Sequence, residues 1–457
     1  MTLLGWFALC VAPLALAHEI SSPIHKAGLC HSPLERSFPL LSTPVCSNDT
    51  LITKYLSGDS HSPANRAWTR ASSCTANGTA EYCIFISSTF ANGRGIAVLT
   101  SPDRADYVAN LPGFTDPEVL QNENHDEDPE TSKFKMVHVP GKDMGVVATQ
   151  PFQRGDHIMT FTPAIVIDYA MFDELPEADM HRLQAEAIDY LPSELRGRFL
   201  NLSTHDGATG HIERVDKILR TNAFDVDVED ENTNGLYVVF PEISRFNHDC
   251  RPNADYYFDP ATLAQHIHAT RPIQIGEEIS LTYMDPIRTR AKRLEKLQSV
   301  WGFRCGCSLC RQRAELSAAS DDRIRQIKRI RRQLEDYGAG SSATPQMADL
   351  MVSLYEQERL SGSIYEAYTF AAIEWNGAGE PWNAVRYARL AIEAGLASAG
   401  PKDRDVVEMV KLADDPWSHW SWMLRTSKRM SWGAMRPVAS KHMRGSDDDY
   451  DDDDEEV

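Results

Sequence analysis

The positions of the cysteines constrain this chain of 457 residues more than any other feature of its sequence. Apart from Cys10, the cysteines form two sets of four, separated by a long stretch without cysteine. The early four are widely spread, whereas three of the late four form one short run. Two sets with such different spacing predict two kinds of cysteine chemistry. The early set is Cys30, Cys46, Cys74 and Cys83, and the late set is Cys250, Cys305, Cys307 and Cys310.

The early set is typical of disulfides that form in an oxidising compartment. Four cysteines allow three pairings, among which the sequence does not choose, and four buried free thiols are the alternative. Residues 82–87 (YCIFIS) have the period-2 apolar pattern of a strand. We therefore predict that residues 18 to about 99 form a small cystine-braced β unit, and that the N-terminal region 18–132 ends with the acidic run 122–131 as a linker or surface loop.

The late C-x-C-x-x-C run, Cys305, Cys307 and Cys310, is typical of a metal site. Three thiolates this close can bind one Zn²⁺ at about 2.3 Å each, and tetrahedral zinc then needs a fourth ligand. A disulfide between near neighbours is the alternative, but so short a spacing gives poor bridge geometry. The run therefore predicts a structural zinc site.

The first residues, 1–17, predict a cleaved signal peptide. The apolar run 2–17 ends in small residues at Ala15 and Ala17, the pattern that signal peptidase cleaves. It is shorter than the roughly 20 apolar residues of a transmembrane helix. Because no Lys or Arg precedes it, a buried N-terminal helix is the alternative. We expect a secretory or extracellular protein without a membrane anchor; the alternative location is the nucleus or cytoplasm.

The overall charge argues against direct nucleic-acid binding, because the chain carries a formal net charge of −20. Much of this charge lies at the end of the chain, where residues 447–457 read DDDYDDDDEEV. Such a block predicts a disordered acidic tail over 441–457. The simplest interpretation is that the tail keeps the protein soluble. The more specific alternative is that it attracts basic partners.

Apolar periodicity divides the remaining chain into a mixed α and β region and a helical region. Period-2 stretches predict strands over 133–288, with a helical insert at about 170–222. A charged amphipathic helix opens the segment 289–315, and residues 316–440 predict a helical domain. Its helix 321–337 is rich in Arg and Lys, which we interpret as a solvated face. The opposite, apolar face of that helix comprises Ile324, Ile327, Ile330 and Leu334.

Three separated segments carry chemically distinctive side chains. Asn247 and His248 offer hydrogen bonds suited to a polar ligand, and Pro252 stiffens the chain after them. Tyr283 ends a predicted strand. The three segments are GKDMGVVA at 141–148, NHDCRPN at 247–253 and GEEISLTY at 276–283.

In this order the segments resemble the SET domain of the SAM-dependent lysine methyltransferases. The middle segment matches the N-H-x-C-x-P-N signature of that family, and the last resembles its G-E-E-[IL]-x-x-x-Y strand. The resemblance covers about residues 133–311 and is closest to the SET and MYND group and fungal relatives, without the MYND module. It implies a SET β-fold with a knot-like core and a post-SET zinc site, followed by an α-helical C-terminal domain. Together with the disulfide-braced N-terminal region predicted from the early cysteines, the expected fold class is α+β.

The resemblance also implies roles for single residues. Tyr283 is expected to be the catalytic residue that aligns the substrate amine with the methyl group of S-adenosyl-L-methionine (SAM). Cys250 is expected to join the C-x-C-x-x-C run as the fourth zinc ligand. Asp143 stands where the family usually has Gly, and Asp can adopt, at some cost, the backbone region that Gly prefers. The residues expected to hold SAM are Lys142, Met144, Gly145, Asn222, Asn247, His248, Tyr283 and Phe303.

The sequence therefore predicts SAM-dependent methyl transfer to a protein lysine, in a histone or another protein. The negative net charge of the chain favours a basic protein or peptide as the substrate. Two alternatives follow from the same residues: a catalytically inactive SET-fold binding or scaffold protein in the secretory pathway, and a SET fold recruited to small-molecule biosynthesis.

Overall fold

A computed structural model describes residues 67–70, 73–78, 80–120, 132–204, 207–226, 235–338 and 340–426 of the chain. The predicted signal peptide, Cys30, Cys46, the linker 122–131 and the acidic tail lie outside the described residues.

The described strands form three small sheets, and the helices lie around and after them, so the fold is of the predicted α+β class. The strands are β1 (Ser73–Asn77), β2 (Ala80–Ser87), β3 (Ile96–Thr100), β4 (Phe134–Val139), β5 (Asp143–Ala148), β6 (His157–Phe161), β7 (Ile165–Asp168), β8 (Phe224–Val226), β9 (Leu236–Val239), β10 (Asn247–His248), β11 (Ala254–Asp259), β12 (Ala264–Ala269) and β13 (Glu278–Leu281). Their orders are β1-β2-β3-β7-β9-β8, β10-β13-β5-β4 and β11-β12-β6.

The N-terminal strands belong to the same sheet as strands of the predicted SET region. β3 pairs in parallel with β7, so the predicted boundary near residue 132 does not separate two β units. Every residue of β3 is buried, and successive residues enter two different hydrophobic cores: Ile96 and Val98 on one face, Ala97 and Leu99 on the other. A strand buried on both faces needs neighbours on both faces, and its own sequence does not reveal which strand lies beside it.

The predicted cystine bracing is present between β1 and β2. Cys74 lies directly opposite Cys83 in the antiparallel pair, and a disulfide joins them. This pairing is one that the sequence left open. It excludes the free-thiol alternative for these two cysteines.

Two prolines mark the starts of helices within the helical insert. Pro176 and Pro192 are the N-cap residues of the second and third insert helices, where a residue without N–H costs no helical hydrogen bond. The insert packs on the face of the six-stranded sheet that carries Ala97 and Leu99. Helices before and within the SET region are α1 (Pro102–Ala109), α2 (Pro112–Thr115), α3 (Ala170–Glu174), α4 (Glu177–Asp189), α5 (Ser193–Leu200) and α6 (His211–Asn222), with shorter helical turns at Phe90–Gly93, Pro117–Leu120 and Ile243–Arg245.

The remaining helices confirm the predicted helical character of the described residues between 289 and 426. The helix predicted over 321–337 begins earlier, at Ala314, and its four predicted apolar residues are buried. In the described part of the chain, helices are too short or too polar to cross a lipid bilayer. These helices are α7 (Arg290–Trp301), α8 (Ala314–Glu335), α9 (Pro345–Glu358), α10 (Ile364–Gly377), α11 (Pro381–Ser398) and α12 (Arg404–Asp414).

Candidate active site

The three motif segments lie side by side in one sheet. β10 pairs in parallel with β13, which places Asn247 opposite Ser280 and His248 opposite Leu281. β13 pairs in turn with β5, where Ile279 lies opposite Val146. Segments far apart in the sequence therefore present their side chains at one place.

Asn247 fixes residues 142–145, the loop segment that leads into β5 and forms its first residues. Its Nδ2 atom donates to the backbone oxygen of Met144 at 3.1 Å and to Oε1 of Glu278 at 3.0 Å. A Cβ atom at Gly145 would lie 2.7 Å from this Nδ2 atom, so only glycine allows the approach. Lys142 donates from Nζ to Oε2 of Glu278 at 2.7 Å. Glu278 thus joins the first and second motifs; it lies in the predicted GEEISLTY segment, although its role was not predicted.

Asp143 takes up the backbone conformation that glycine usually supplies. Its φ angle is +69°, in the left-handed region. The hydroxyl of Ser203 donates to its Oδ2 atom at 3.3 Å. The loop therefore keeps a glycine-like turn with a carboxylate on it.

Tyr283 is held by its backbone and by its phenol. The backbone N–H donates to Nδ1 of His248 at 3.1 Å, and the hydroxyl donates to the backbone oxygen of Phe246 at 2.8 Å. Burial, and to a smaller extent the charge of Glu278, raises the pKa of Tyr283 well above its ordinary value. The phenol is therefore neutral throughout the physiological pH range.

His248 connects Tyr283 to the cysteine cluster. Burial lowers the pKa of His248 to about 4, so the imidazole is neutral. Since Nδ1 accepts from the backbone of Tyr283, the single ring proton lies on Nε2. This Nε2 atom lies 3.3 Å from Sγ of Cys250 and donates to it.

Aromatic rings surround the phenol of Tyr283. The centroid of its ring lies 5.5 Å from that of Trp301, 6.4 Å from that of Phe303 and 5.3 Å from that of His248. Phe303, expected at the SAM site, is thus beside Tyr283. Trp301 was not predicted as a site residue, although it opens the WGFRCGCSLC segment. The rings therefore form a largely apolar wall around the phenol of Tyr283.

The four late cysteines lie close enough together to hold a metal ion. Their sulfur atoms are all within 4.8 Å of one another. Sγ of Cys250 lies 4.0 Å from that of Cys305 and 3.5 Å from that of Cys310. Four sulfurs at about 2.3 Å from a tetrahedral Zn²⁺ would be about 3.8 Å apart. Backbone N–H groups of Cys307 and Cys310 donate to neighbouring sulfurs, as suits thiolates. The donor set and spacing fit zinc.

Asn222 is connected to the NHDCRPN motif through other residues. At the end of α6, its Nδ2 atom donates to the backbone oxygens of Ser203 and Ile218 at 2.9 and 2.8 Å. The hydroxyl of Ser244, just before β10, donates to the Asn222 backbone oxygen at 3.0 Å. Asn222 therefore ties the helical insert to the chain that leads into the motif.

A buried ion pair attaches the helical domain to the NHDCRPN motif. The guanidinium of Arg251 donates to Oε2 of Glu358 at 2.8 Å, and both side chains are about 1–2% exposed. Glu358 also accepts from Ser320 and Arg323, each at 2.7 Å. Arg251 donates as well to the backbone oxygen of Cys250. The last residue of α9 thus holds the residue next to a predicted zinc ligand, a contact that sequence reasoning missed because 107 positions separate the partners.

Comparison with known proteins agrees with this geometry. Residues 143–284 match the family model of the SET domain. Over 206 residues, the chain is 29% identical to the histone-lysine N-methyltransferase set5 of Schizosaccharomyces pombe, covering 44% of this chain and 56% of that protein. It is 25% identical over 202 residues to the N-lysine methyltransferase SMYD2 of Homo sapiens, covering 42% and 46%. A shorter match, 37% over 83 residues, is to the histone-lysine N-methyltransferase SET5 of Scheffersomyces stipitis, covering 18% and 17%.

The protein contains a SET domain and is homologous to SET5 and SMYD-type methyltransferases, which confirms the resemblance stated above. The chain spans only about half the length of set5 and of SMYD2. We therefore propose the activity, substrates and partners of this protein separately below.

We expect the Arg251–Glu358 pair to be important for stability. Replacing Glu358 with Ala leaves the Arg251 guanidinium buried without its partner, so the free energy of unfolding should fall by about 3–5 kcal/mol. Urea denaturation measures the change. The matched control is Glu356→Ala, an exposed glutamate on the same helix, which should change stability by less than about 0.5 kcal/mol. Equal effects of the two substitutions would contradict this assignment.

Proposed function

We propose that this protein transfers a methyl group from SAM to the side-chain amine of a lysine in a protein substrate. The observation that carries the proposal is the meeting of Asn247, His248 and Tyr283 on adjacent strands of a SET domain. The relatives named above are lysine methyltransferases, which supports the same reaction.

The residues present fit SAM. Polar groups suited to an amino-acid moiety lie at the loop 142–145 and at Asn247, and aromatic rings suited to a cation lie around Tyr283. When bound, SAM supplies a methyl group already activated by its sulfonium charge. We propose that Lys142, Met144, Gly145, Asn247, His248, Phe303 and the ring of Tyr283 hold it, with Asn222 supporting the motif through Ser244.

In this proposal Tyr283 orients the substrate amine. Its hydroxyl proton is directed at the backbone oxygen of Phe246, which leaves the lone pairs of the phenol oxygen to interact with the amine. A lysine must be uncharged to act as a nucleophile, and an aromatic, water-poor channel lowers the pKa of an amine by desolvation. Proximity and alignment then provide most of the rate acceleration, and a strong general base is not required.

We further propose that the four late cysteines bind one Zn²⁺ with a structural role. The metal would fasten the segment of Phe303 to Cys250, and so hold the aromatic wall against Tyr283. His248 supports this arrangement from the outside by donating to the Cys250 sulfur.

The two alternative functions have less support. The scaffold alternative rests on Asp143 and on the predicted signal peptide. At Asp143 the left-handed backbone preserves the turn that glycine would give. Nothing in the geometry of the site favours a small-molecule acceptor over a lysine.

We also propose entry into the secretory pathway. The A-x-A pattern at Ala15 and Ala17 supports it, and so does the Cys74–Cys83 disulfide, because such bonds persist mainly in oxidising compartments.

Activity provides the first test of the proposed reaction. Methyl transfer from labelled SAM to a panel of histones and secreted proteins should occur with the native protein, and Tyr283→Phe should lower kcat about 10²-fold because the amine loses its alignment. SAM binding by the variant should persist. The control Tyr257→Phe removes a hydroxyl from a ring stacked on His266 and should leave kcat unchanged. Full activity of Tyr283→Phe would contradict the role of the phenol.

Metal analysis tests the zinc proposal. Native protein should contain about one zinc per chain, and Cys307→Ser should lower that content because the tetrahedral site loses a ligand. The paired change Cys74→Ser with Cys83→Ser should leave zinc unchanged, since these residues form a disulfide. Zinc-free native protein would rule the site out.

Secretion of a reporter tests the proposed route. A fusion of residues 1–30 to a reporter enzyme should be exported and cleaved after Ala17, whereas residues 18–30 alone should leave the reporter inside the cell. Retention of the first fusion in the cytosol would refute the signal peptide.

A further inference from the structure

One face of α8 carries a row of exposed arginines, which we call the arginine stripe: Arg325, Arg329 and Arg332. With 3.6 residues per turn, these three positions lie within about 60° of one another around the helix axis. The buried apolar residues of α8 occupy the opposite face. The stripe therefore faces solvent, with Asp322 on the same face beside Arg325.

The other arginines of α8 that lie nearer the protein have acidic partners. Arg323 donates to Glu358 at 2.7 Å, and Arg331 is paired with Glu366. On the stripe, Arg325 is paired with Asp322. Within the part of the chain that the structure describes, Arg329 and Arg332 have no acidic partner. Two unpaired guanidiniums about one turn apart are a ready surface for an acidic ligand.

The described chain ends beside the same helix. The guanidinium of Arg425 donates to the backbone oxygen of Leu334 at 2.9 Å and to that of Asp336 at 2.7 Å. It also lies 4.7 Å from the centre of the Tyr337 ring. Thr426 donates from its hydroxyl to the backbone oxygens of Gly377 and Ala378, so the segment after Thr426 starts near the carboxyl ends of α8 and α10.

The acidic tail is within reach of the stripe. Nine of residues 447–457 are Asp or Glu, and twenty residues separate them from Thr426. A random-coil chain of twenty residues has an r.m.s. end-to-end distance of about 25 Å. The helix of 22 residues is about 33 Å long, so a linker with that span would let the tail reach the stripe.

From the charge, the exit point and the linker length, we propose that the acidic tail, residues 447–457, docks on the arginine stripe of its own chain. Single exposed ion pairs are weak and are screened by salt. Tethering compensates, because a short flexible linker gives an effective tail concentration of the order of millimolar. The contact is therefore formed at low ionic strength and released at high ionic strength. This inference is independent of the proposed methyltransferase activity.

A competition experiment with full-length, zinc-loaded protein tests the docking. The host is a chain whose nine tail acids are replaced by Asn and Gln, and the probe is a fluorescein-labelled peptide of residues 445–457. Fluorescence anisotropy should show binding at about 20 mM salt and its loss at about 500 mM. Wild-type protein should bind the peptide about tenfold more weakly, because its own tail occupies the stripe.

Charge reversal locates the contact. In the neutral-tail host, Arg329→Glu with Arg332→Glu should abolish peptide binding. The matched control is Arg386→Glu with Arg389→Glu, two exposed arginines with the same spacing on α11, which should leave binding unchanged. Both pairs are on the surface, and circular dichroism and thermal melting check that each variant is folded.

Three outcomes would overturn the proposal. The first is no peptide binding at low salt. The second is equal binding by the stripe variant and the control, which would place the tail elsewhere, for example on the cations of residues 428–444. The third is that duplex DNA binds the stripe more tightly than the peptide does and displaces it, which would make the stripe a nucleic-acid surface.

Discussion

The neutral imidazole of His248 is the interaction on which the rest of the site depends. It accepts the backbone N–H of Tyr283 and donates to the sulfur of Cys250, so one buried ring links the proposed catalytic residue to the cysteine cluster. Protonation would remove the acceptor, and burial prevents it by lowering the pKa of His248. The two-residue strand β10 holds the ring in place between β13 and the cluster.

The same motif couples the SET domain to the helices that follow it. Cys250 is joined to the segment of Phe303 by the cluster, and the next residue, Arg251, is joined to α9 by its buried pair with Glu358. Ser320 and Arg323 of α8 complete the polar partners of that glutamate. The helical domain therefore helps to hold the site in place. A substitution at Glu358 of α9 would remove a contact to Arg251, the residue next to Cys250.

Much of the site could be predicted because its residues lie in short contiguous motifs. Asn247, His248 and Tyr283 were recognisable from local sequence. Contacts between distant segments leave no such local pattern. The parallel pairing of β3 with β7, the Cys74–Cys83 choice and the Arg251–Glu358 pair all depend on tertiary packing. Trp301 was not predicted as a site residue because an aromatic residue at the end of a helix usually belongs to the hydrophobic core.

Calorimetric titration of SAM into the zinc-loaded protein tests the central claim most directly, since that claim is a cofactor site built from three distant segments. The account predicts binding of one SAM per chain, strongly weakened by Asn247→Ala, because the loop 142–145 loses its anchor while the fold is retained. A correctly folded, zinc-containing protein that gives no binding signal would contradict it.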